Sequence, residues 1–137
     1  LLQVKGVSRN IKAVPIAKEA PKRGVKYYNL AAPHGLFGSE MVLTFDGYYS
    51  GNFMAGYDTY TITTKPGSSG SAILNSEGEI VGVIFAGFPS VEKVGLSPVF
   101  GSISVFVSKA YARGELNLWK MYNMNADTTE TTTETPK

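Results

Sequence analysis

The chain has no cysteine among its 137 residues. This absence excludes a disulfide framework, a thiolate zinc site and a thiol nucleophile. No apolar run approaches the ~20 residues that a spanning helix needs, so no membrane span is predicted. Charge is scarce as well, with 13 Lys and Arg against 11 Asp and Glu and a net charge of +2. Without a basic block, that balance argues against nucleic acid as a partner.

Short segments rich in Val, Ile, Tyr, Phe and Thr are separated by 15 glycines and 7 prolines. This pattern predicts an all-β domain whose six short antiparallel strands fit a small closed barrel. The predicted strands begin at Val25, Met41, Tyr57, Ser71, Glu79 and Val99. A hairpin turn at Ser76-Glu77-Gly78 is predicted to join the fourth strand to the fifth.

The sequence also predicts the organisation of the chain around this barrel. Residues 1–24 form a strand end and a polar, proline-containing connector, and residues 25–107 form the barrel. Residues 108–124 are predicted as a C-terminal helix that begins at Ser108 as its N-cap. Residues 125–137 are rich in Thr and Glu and are predicted to be a disordered tail, either a linker or a polyprotein junction.

The run Lys65-Pro66-Gly67-Ser68-Ser69-Gly70-Ser71 has the residue types that acyl transfer by serine requires. A nucleophilic hydroxyl needs a sharp turn, a base and backbone N–H groups that face the developing oxyanion. Ser69 would be the nucleophile, the N–H groups of Gly67 and Ser69 the oxyanion hole, and Gly70 the space behind the nucleophile.

Three other interpretations of this run are weighed against the nucleophile. Gly and Ser are common turn formers, so an ordinary hairpin loop is one alternative. The nucleophile elbow of α/β-hydrolases requires a following helix, whereas strand, turn and strand follow here. An anion-binding loop with Lys65 lacks both a following helix and the glycine-lysine spacing of a P-loop.

The wider context resembles the chymotrypsin- and trypsin-like serine proteases, especially their HtrA-like and viral or bacterial branches. KPGSSGSAILNSEGEIVGVIFAG is similar to that family's Ser loop, short strand, Gly turn and GVI strand. GVKYYNLAAPHGLFGSEMVLTFDGYYSG and ISVFVS supply two further matches in the same order. The resemblance extends from Leu1 to Tyr122 and implies the second β-barrel of the double-barrel fold, followed by a C-terminal helix.

The resemblance implies a serine endopeptidase that acts on peptide or protein substrates, with no metal or cofactor. It implies that Ser69 is catalytic and that Gly67 and Ser69 supply the oxyanion hole. Two walls of a substrate pocket are implied as well, and the backbone of 85–87 would pair with an extended substrate. The implied substrate-binding residues are Thr63, Thr64, Lys65, Pro66, Ile84, Phe85, Ala86 and Gly87.

The family's triad also needs a His and an Asp, which this sequence does not supply in the expected places. His34, the single histidine, falls in a loop position of the second barrel, and Asp46, Asp58 and Asp127 have no catalytic context. The opening LLQVKG resembles the strand that follows the catalytic Asp in HtrA-like members. We therefore expect residues 1–24 to hold the end of barrel one, with His and Asp on a preceding N-terminal barrel segment, and this chain alone to be inactive.

Substrate preference and activity both leave alternatives open. The pocket loop carries Thr63, Thr64 and Lys65 instead of the acid that a trypsin-like pocket needs, and Ile84 stands where glutamyl-specific relatives place a His. A small or apolar residue before the cut is therefore expected, unless Thr63 and Ile84 face away from the pocket. The alternative function is a non-catalytic pseudoprotease module that binds a peptide in the same cleft.

Overall fold

The computed structural model describes residues 10, 12–35, 41–88 and 90–113. Its strands are β1 (Lys26–Ala31), β2 (Leu43–Phe53), β3 (Tyr57–Tyr60), β4 (Ala72–Leu74), β5 (Ile80–Val83), β6 (Ala86–Phe88) and β7 (Val91–Pro98), and its helix is α1 (Phe100–Ala112). Val14–Val105 form one compact unit, and the C-terminal turns of α1 belong to a second. No helix in the described ranges has the length and apolar character needed to cross a membrane.

The seven strands form one antiparallel sheet in the order β5-β4-β1-β2-β3-β7-β6. Its two edge strands follow one another in the chain, separated only by Ile84 and Phe85. In a flat sheet of seven strands the edges would be about 29 Å apart, six spacings of ~4.8 Å. Three peptide links span at most ~11 Å, so the sheet curls until the end of β5 and the start of β6 lie within that distance. The all-β fold with a C-terminal helix is confirmed.

Strand periodicity explains which side chains enter the core. Along β1 the residues alternate between exposed and buried, with Tyr27 and Asn29 inward and Tyr28 outward. The core joins residues from four of the strands, the connector, the segment after β3 and the β5–β6 junction: Ala17, Tyr27, Tyr60, Ile62, Ile73, Val81 and Ile84. Edge-to-face packing of Tyr27 on Tyr60, with ring centroids 5.7 Å apart, links β1 to β3 across this core.

The structure corrects the predicted end of the barrel. The run that begins at Val99 was predicted as the last strand, with a helix from Ser108, but β7 is Val91–Pro98 and α1 begins at Phe100. The buried carboxylate of Asp58 accepts a hydrogen bond from the Phe100 backbone N–H at 2.8 Å. That bond satisfies one of the orphan donors at the helix start, a tertiary capping contact that the local β-branched pattern does not reveal.

The other strand predictions are confirmed within a few residues. The predicted fifth strand is divided by Ile84 and Phe85 into β5 and β6, because its first half pairs with β4 and its second half with β7. The hairpin at Ser76-Glu77-Gly78 is present between β4 and β5. The connector is held to β5 by two backbone hydrogen bonds, 2.9 and 2.7 Å long, to and from Ile80. The opening LLQVKG, residues 114–124 of the predicted helix and the predicted tail lie outside the described residues.

Candidate active site

Two consecutive β-turns form the loop between β3 and β4 that carries Ser69. The N–H of Ser68 donates to the carbonyl of Lys65 at 2.9 Å, and the N–H of Ser71 donates to the carbonyl of Ser68 at 3.1 Å. The third positions of these turns are Gly67 and Gly70, with φ of 95° and 89°. Type II turns require such a positive φ at that position, which explains both glycines. Ser69 therefore stands at the corner of the second turn.

The Ser69 side chain is exposed, and its hydroxyl donates to the backbone carbonyl of Phe85 at 3.3 Å. A peptide carbonyl is no general base, so this bond holds the hydroxyl without activating it. Among the described residues, no His, Asp or Glu side chain is hydrogen-bonded to Ser69. The geometry thus presents a serine at a sharp turn whose base is not among the described side chains.

Both backbone N–H groups predicted for the oxyanion hole lie on peptides whose carbonyl oxygens accept backbone hydrogen bonds. The carbonyl of Pro66 accepts from the N–H of His34 at 2.7 Å, and the carbonyl of Ser68 accepts from the N–H of Ser71. In a planar trans peptide the N–H points opposite to the carbonyl. The N–H groups of Gly67 and Ser69 therefore point away from these anchors, and neither donates a hydrogen bond within the described part of the chain.

The loop is fastened to the β5–β6 junction and to β1. The N–H of Gly70 donates to the carbonyl of Ile84 at 2.7 Å, and the N–H of Ile84 donates to the carbonyl of Ser71 at 2.9 Å. From β1, the buried amide of Asn29 donates to the hydroxyl of Ser71 and to the carbonyl of Ala72, both at 2.8 Å. Two neighbouring segments, the β5–β6 junction and β1, thus fix the turn that carries Ser69.

An open pocket of about 340 Å³ adjoins Ser69. It is lined by Thr64, Lys65, Pro66, Ser68, Ser69, Ile84, Ala86, Gly87 and Phe88. Six of the eight predicted substrate-binding residues are therefore together beside the predicted nucleophile. Sequence reasoning missed Ser68 and Phe88, and a turn residue and a strand-end aromatic carry no signal that would single them out.

The two remaining predicted residues are placed differently. Thr63 lines a separate polar pocket that also contains Thr61 and Lys93. Extended backbone sends successive side chains to opposite sides, which is why Thr64 faces the Ser69 pocket and Thr63 does not. Phe85 does not line the Ser69 pocket; its ring packs on Tyr57 with centroids 5.1 Å apart, while its carbonyl accepts from Ser69.

The floor of the Ser69 pocket is apolar and crowded. Ile84 is 1% exposed and belongs to the core, so it contributes packed aliphatic surface. The Thr64 side chain lies against Gly87, where an added Cβ would collide with its hydroxyl, and that hydroxyl donates to the Val94 carbonyl at 3.4 Å. The lining includes Lys65 but no acidic residue among its described members. This surface offers nothing to neutralise a basic side chain.

The other described titratable residues considered at the sequence level make no hydrogen bond to the Ser69 hydroxyl. His34 occupies a 3-10 turn, Pro33–Gly35, with a φ of 54° and an exposed side chain. Asp46 pairs with Lys26 on the outer face of the sheet at 3.0 Å. Asp127 lies outside the described residues.

Asp58 organises a partly buried cluster of hydrogen bonds at the start of α1. Its carboxylate accepts from the Tyr49 hydroxyl at 2.9 Å and the Asn52 amide at 2.7 Å, besides the Phe100 N–H. Burial and the hydrogen bond to Asp58 raise the pKa of Tyr49 to about 12. The pKa of Tyr60 is also raised, chiefly because its hydroxyl is desolvated. This cluster is structural, since it joins β2, β3 and α1.

Comparison with solved structures identifies the architecture. A serine endoprotease from Yersinia pestis matches with a TM-score of 0.65 and 21% identity, over 77% of this chain and 38% of that one. The active form of the Rv3671c protease of M. tuberculosis gives 0.61 and 16% identity, over 70% and 47%. The HtrA-type protease AlgW with a decapeptide gives 0.62 and 17% identity, over 76% and 34%. At these identities the likeness shows the fold, and the chain spans less than half of each relative's length.

The fold is that of the chymotrypsin-like serine proteases. The family model described as Peptidase S7, Flavivirus NS3 serine protease matches residues 26–99, more than half of the chain. The chain therefore belongs to that family. No curated protein matches it at a significant level.

Proposed function

We propose that this chain is the nucleophile-bearing part of a serine endopeptidase. Ser69 Oγ attacks the scissile carbonyl carbon, while a His from another segment takes the hydroxyl proton and an Asp orients that His. The tetrahedral intermediate then expels the amine, which receives the proton, and water hydrolyses the acyl-enzyme. The observation that carries this proposal is the exposed hydroxyl of Ser69, which lies on the same loop as two backbone N–H groups that donate no hydrogen bond within the described residues.

The N–H groups of Gly67 and Ser69 act as the oxyanion hole. Removing one such donor typically lowers turnover by ~10²–10³. Support comes from the two anchored carbonyls, which orient both peptides before any substrate arrives. A donor that is already oriented loses little free energy to reorganisation during the reaction, which is the source of its catalytic value.

The substrate lies extended along β6, an edge strand in the described sheet. An edge strand offers free backbone donors and acceptors, so a peptide can be added as a further strand. Ala86 and Gly87 of β6 supply that edge together with the preceding Phe85, whose N–H donates to Leu96. Thr64, Lys65, Pro66 and Ile84 bound the side-chain pocket. Because Thr64 narrows this pocket and no acid lines its described part, the residue before the cut is small or apolar. Thr63 contributes through the backbone of the wall, since its side chain lines the other pocket.

The direct test is labelling by a fluorophosphonate, followed by intact mass measurement of the full-length protein. We expect one adduct, its loss in Ser69→Ala, and its retention in Ser68→Ala, a matched change of the neighbouring buried hydroxyl. The 137-residue chain alone should label at least ~10³-fold more slowly, since the base is absent. Absence of labelling in the full-length protein would reject the enzyme and favour the peptide-binding pseudoprotease.

A further inference from the structure

Outside the proposed catalytic groups, the buried polar residue Asn29 is hydrogen-bonded directly to the loop of Ser69. Its side chain is inward on β1 and fully buried, in a strand whose other inward residues are Tyr27 and Ala31. Backbone pairing between β1 and β4 ends at Asn29 and Ile73. At Ala72, the neighbouring residue of β4, the bond comes from the Asn29 side chain, which donates to the Ala72 carbonyl at 2.8 Å. Asn29 therefore lies beside the junction between the loop of Ser69 and β4.

The hydrogen bonds from Asn29 run in one direction. Its amide nitrogen has two hydrogens, and the bond to the Ala72 carbonyl fixes which end of the amide faces the loop. The second hydrogen goes to the Ser71 hydroxyl at 2.8 Å. Since that hydroxyl accepts from Asn29, its own hydrogen is free to donate, and it does so to the Ser68 carbonyl at 2.5 Å.

The Ser68 carbonyl belongs to the peptide that carries the Ser69 N–H. With the Ser71 N–H at 3.1 Å and the Ser71 hydroxyl at 2.5 Å, this carbonyl receives two hydrogen bonds on the same side. Peptide planarity transmits that constraint, so the Ser69 N–H points in the opposite direction. A flip of this peptide would break both bonds and turn the Ser69 N–H away from the direction in which the proposed oxyanion lies.

The stability lost at Asn29 also indicates a role beyond packing. Its Oδ1 is buried with no hydrogen-bond partner among the described residues. An unsatisfied buried acceptor costs about 1–3 kcal/mol, and an apolar residue would avoid that cost. Keeping an amide here is explained by the two bonds that it donates toward the loop.

We propose that Asn29 is a positioning residue that acts through the Ser71 hydroxyl to hold the Ser68–Ser69 peptide with its N–H directed to the oxyanion. The inference rests on the proposed function for its catalytic consequence, while the orientation of the peptide can be tested without activity. The positioning is built into β1, none of whose residues is in the described lining of the Ser69 pocket.

The catalytic arm compares Asn29→Ala, Ser71→Ala and the double variant in the full-length protein. We expect Asn29→Ala to lower kcat at least ~10-fold with KM within about twofold, because only the oxyanion stabilisation is affected. The double variant should lose little more than Asn29→Ala, since the two residues act in series. Val81→Ala, a buried change on β5, is the control for lost stability and should keep its kcat.

The structural arm uses the 137-residue chain, in which Ser68–Ser69 is the one Ser-Ser pair. Labelling serine with carbonyl ¹³C and amide ¹⁵N gives a single correlated signal for that peptide. In Ser71→Ala and Asn29→Ala this signal should move upfield in ¹³C as the carbonyl loses a hydrogen bond, and Val81→Ala should leave it in place. An unmoved signal, or a kcat loss no greater than that of Val81→Ala, would overturn the inference. An inactive wild type with a moved signal would instead reject the proposed function and retain the positioning.

Discussion

Asn29 and Asp58 are both buried polar side chains on strands of the same sheet, yet they organise different parts of the molecule. Asp58 accepts three hydrogen bonds and ties β2, β3 and the start of α1 together. Asn29 donates one hydrogen bond to Ser71 in the loop of Ser69 and one to the Ala72 carbonyl at the start of β4, and no described group is bonded to its own oxygen. A fully satisfied group stabilises the fold, whereas a partly satisfied one reveals where stability has been given up for the geometry of a site.

The largest effect on stability is expected from the Asp58 side of this comparison. Asp58→Ala removes the shared acceptor of the Tyr49 hydroxyl, the exposed Asn52 amide and the Phe100 N–H, and should lower the free energy of unfolding by about 3 kcal/mol. Asp46→Ala, which removes an exposed carboxylate paired with Lys26, should change it by less than ~1 kcal/mol. Urea unfolding of the 137-residue chain measures both. Similar losses for the two variants would show that the Asp58 cluster does not hold the helix start.

The nucleophile loop provides the next largest effect and a matched pair of glycines. Gly67→Ala introduces a Cβ 2.9 Å from the His34 nitrogen at a φ of 95°, so we expect a loss of roughly 2 kcal/mol. Gly70→Ala has a φ of 89° but open space around it, so roughly 1 kcal/mol is expected from backbone strain alone. Thermal unfolding compares them, and a larger loss for Gly70→Ala would contradict the close packing of Gly67 on the 3-10 turn.

A smaller change in stability is expected when the Asp58 cluster is exposed to alkaline pH. The pKa of Tyr49 is raised to about 12 in the folded protein, so the folded state retains a proton that the unfolded state releases near pH 10. The stabilising contribution is therefore complete below pH 10 and is lost as pH rises toward 12. Tyr49→Phe should be less stable at neutral pH, by about 1 kcal/mol, yet show a flatter decline between pH 10 and 12. An unchanged slope would place the titration elsewhere.

The smallest effect concerns the 3-10 turn that holds the Pro66 carbonyl. His34 has a φ of 54°, which glycine adopts without strain and β-branched residues resist. His34→Gly should raise the unfolding free energy by less than ~1 kcal/mol, and His34→Val should lower it. Both variants keep the backbone N–H, so the difference measures backbone conformation. The reverse order would mean that the His34 side chain contributes to stability.

Much of the barrel could be predicted from the sequence because its signals are local. Alternation in KYYNLA, the Ser76-Glu77-Gly78 turn and the Gly spacing around Ser69 all act within a few residues. The helix at Phe100 could not, because VFGSISVFV is rich in β-branched residues and its capping carboxylate comes from position 58. Local propensity was overridden there by a contact between residues 42 positions apart.

The candidate site also combines features that could be predicted from the sequence with features that could not. By itself, the sequence determined that Ser69 stands on a turn flanked by Gly67 and Gly70, since turn chemistry depends on adjacent residues. Only the tertiary structure decided that Thr64 faces the pocket and Thr63 another one, that Ile84 is its buried floor, and that Asn29 anchors the loop from β1. Those outcomes depend on strand register and on which strands meet, and the folded chain alone sets both.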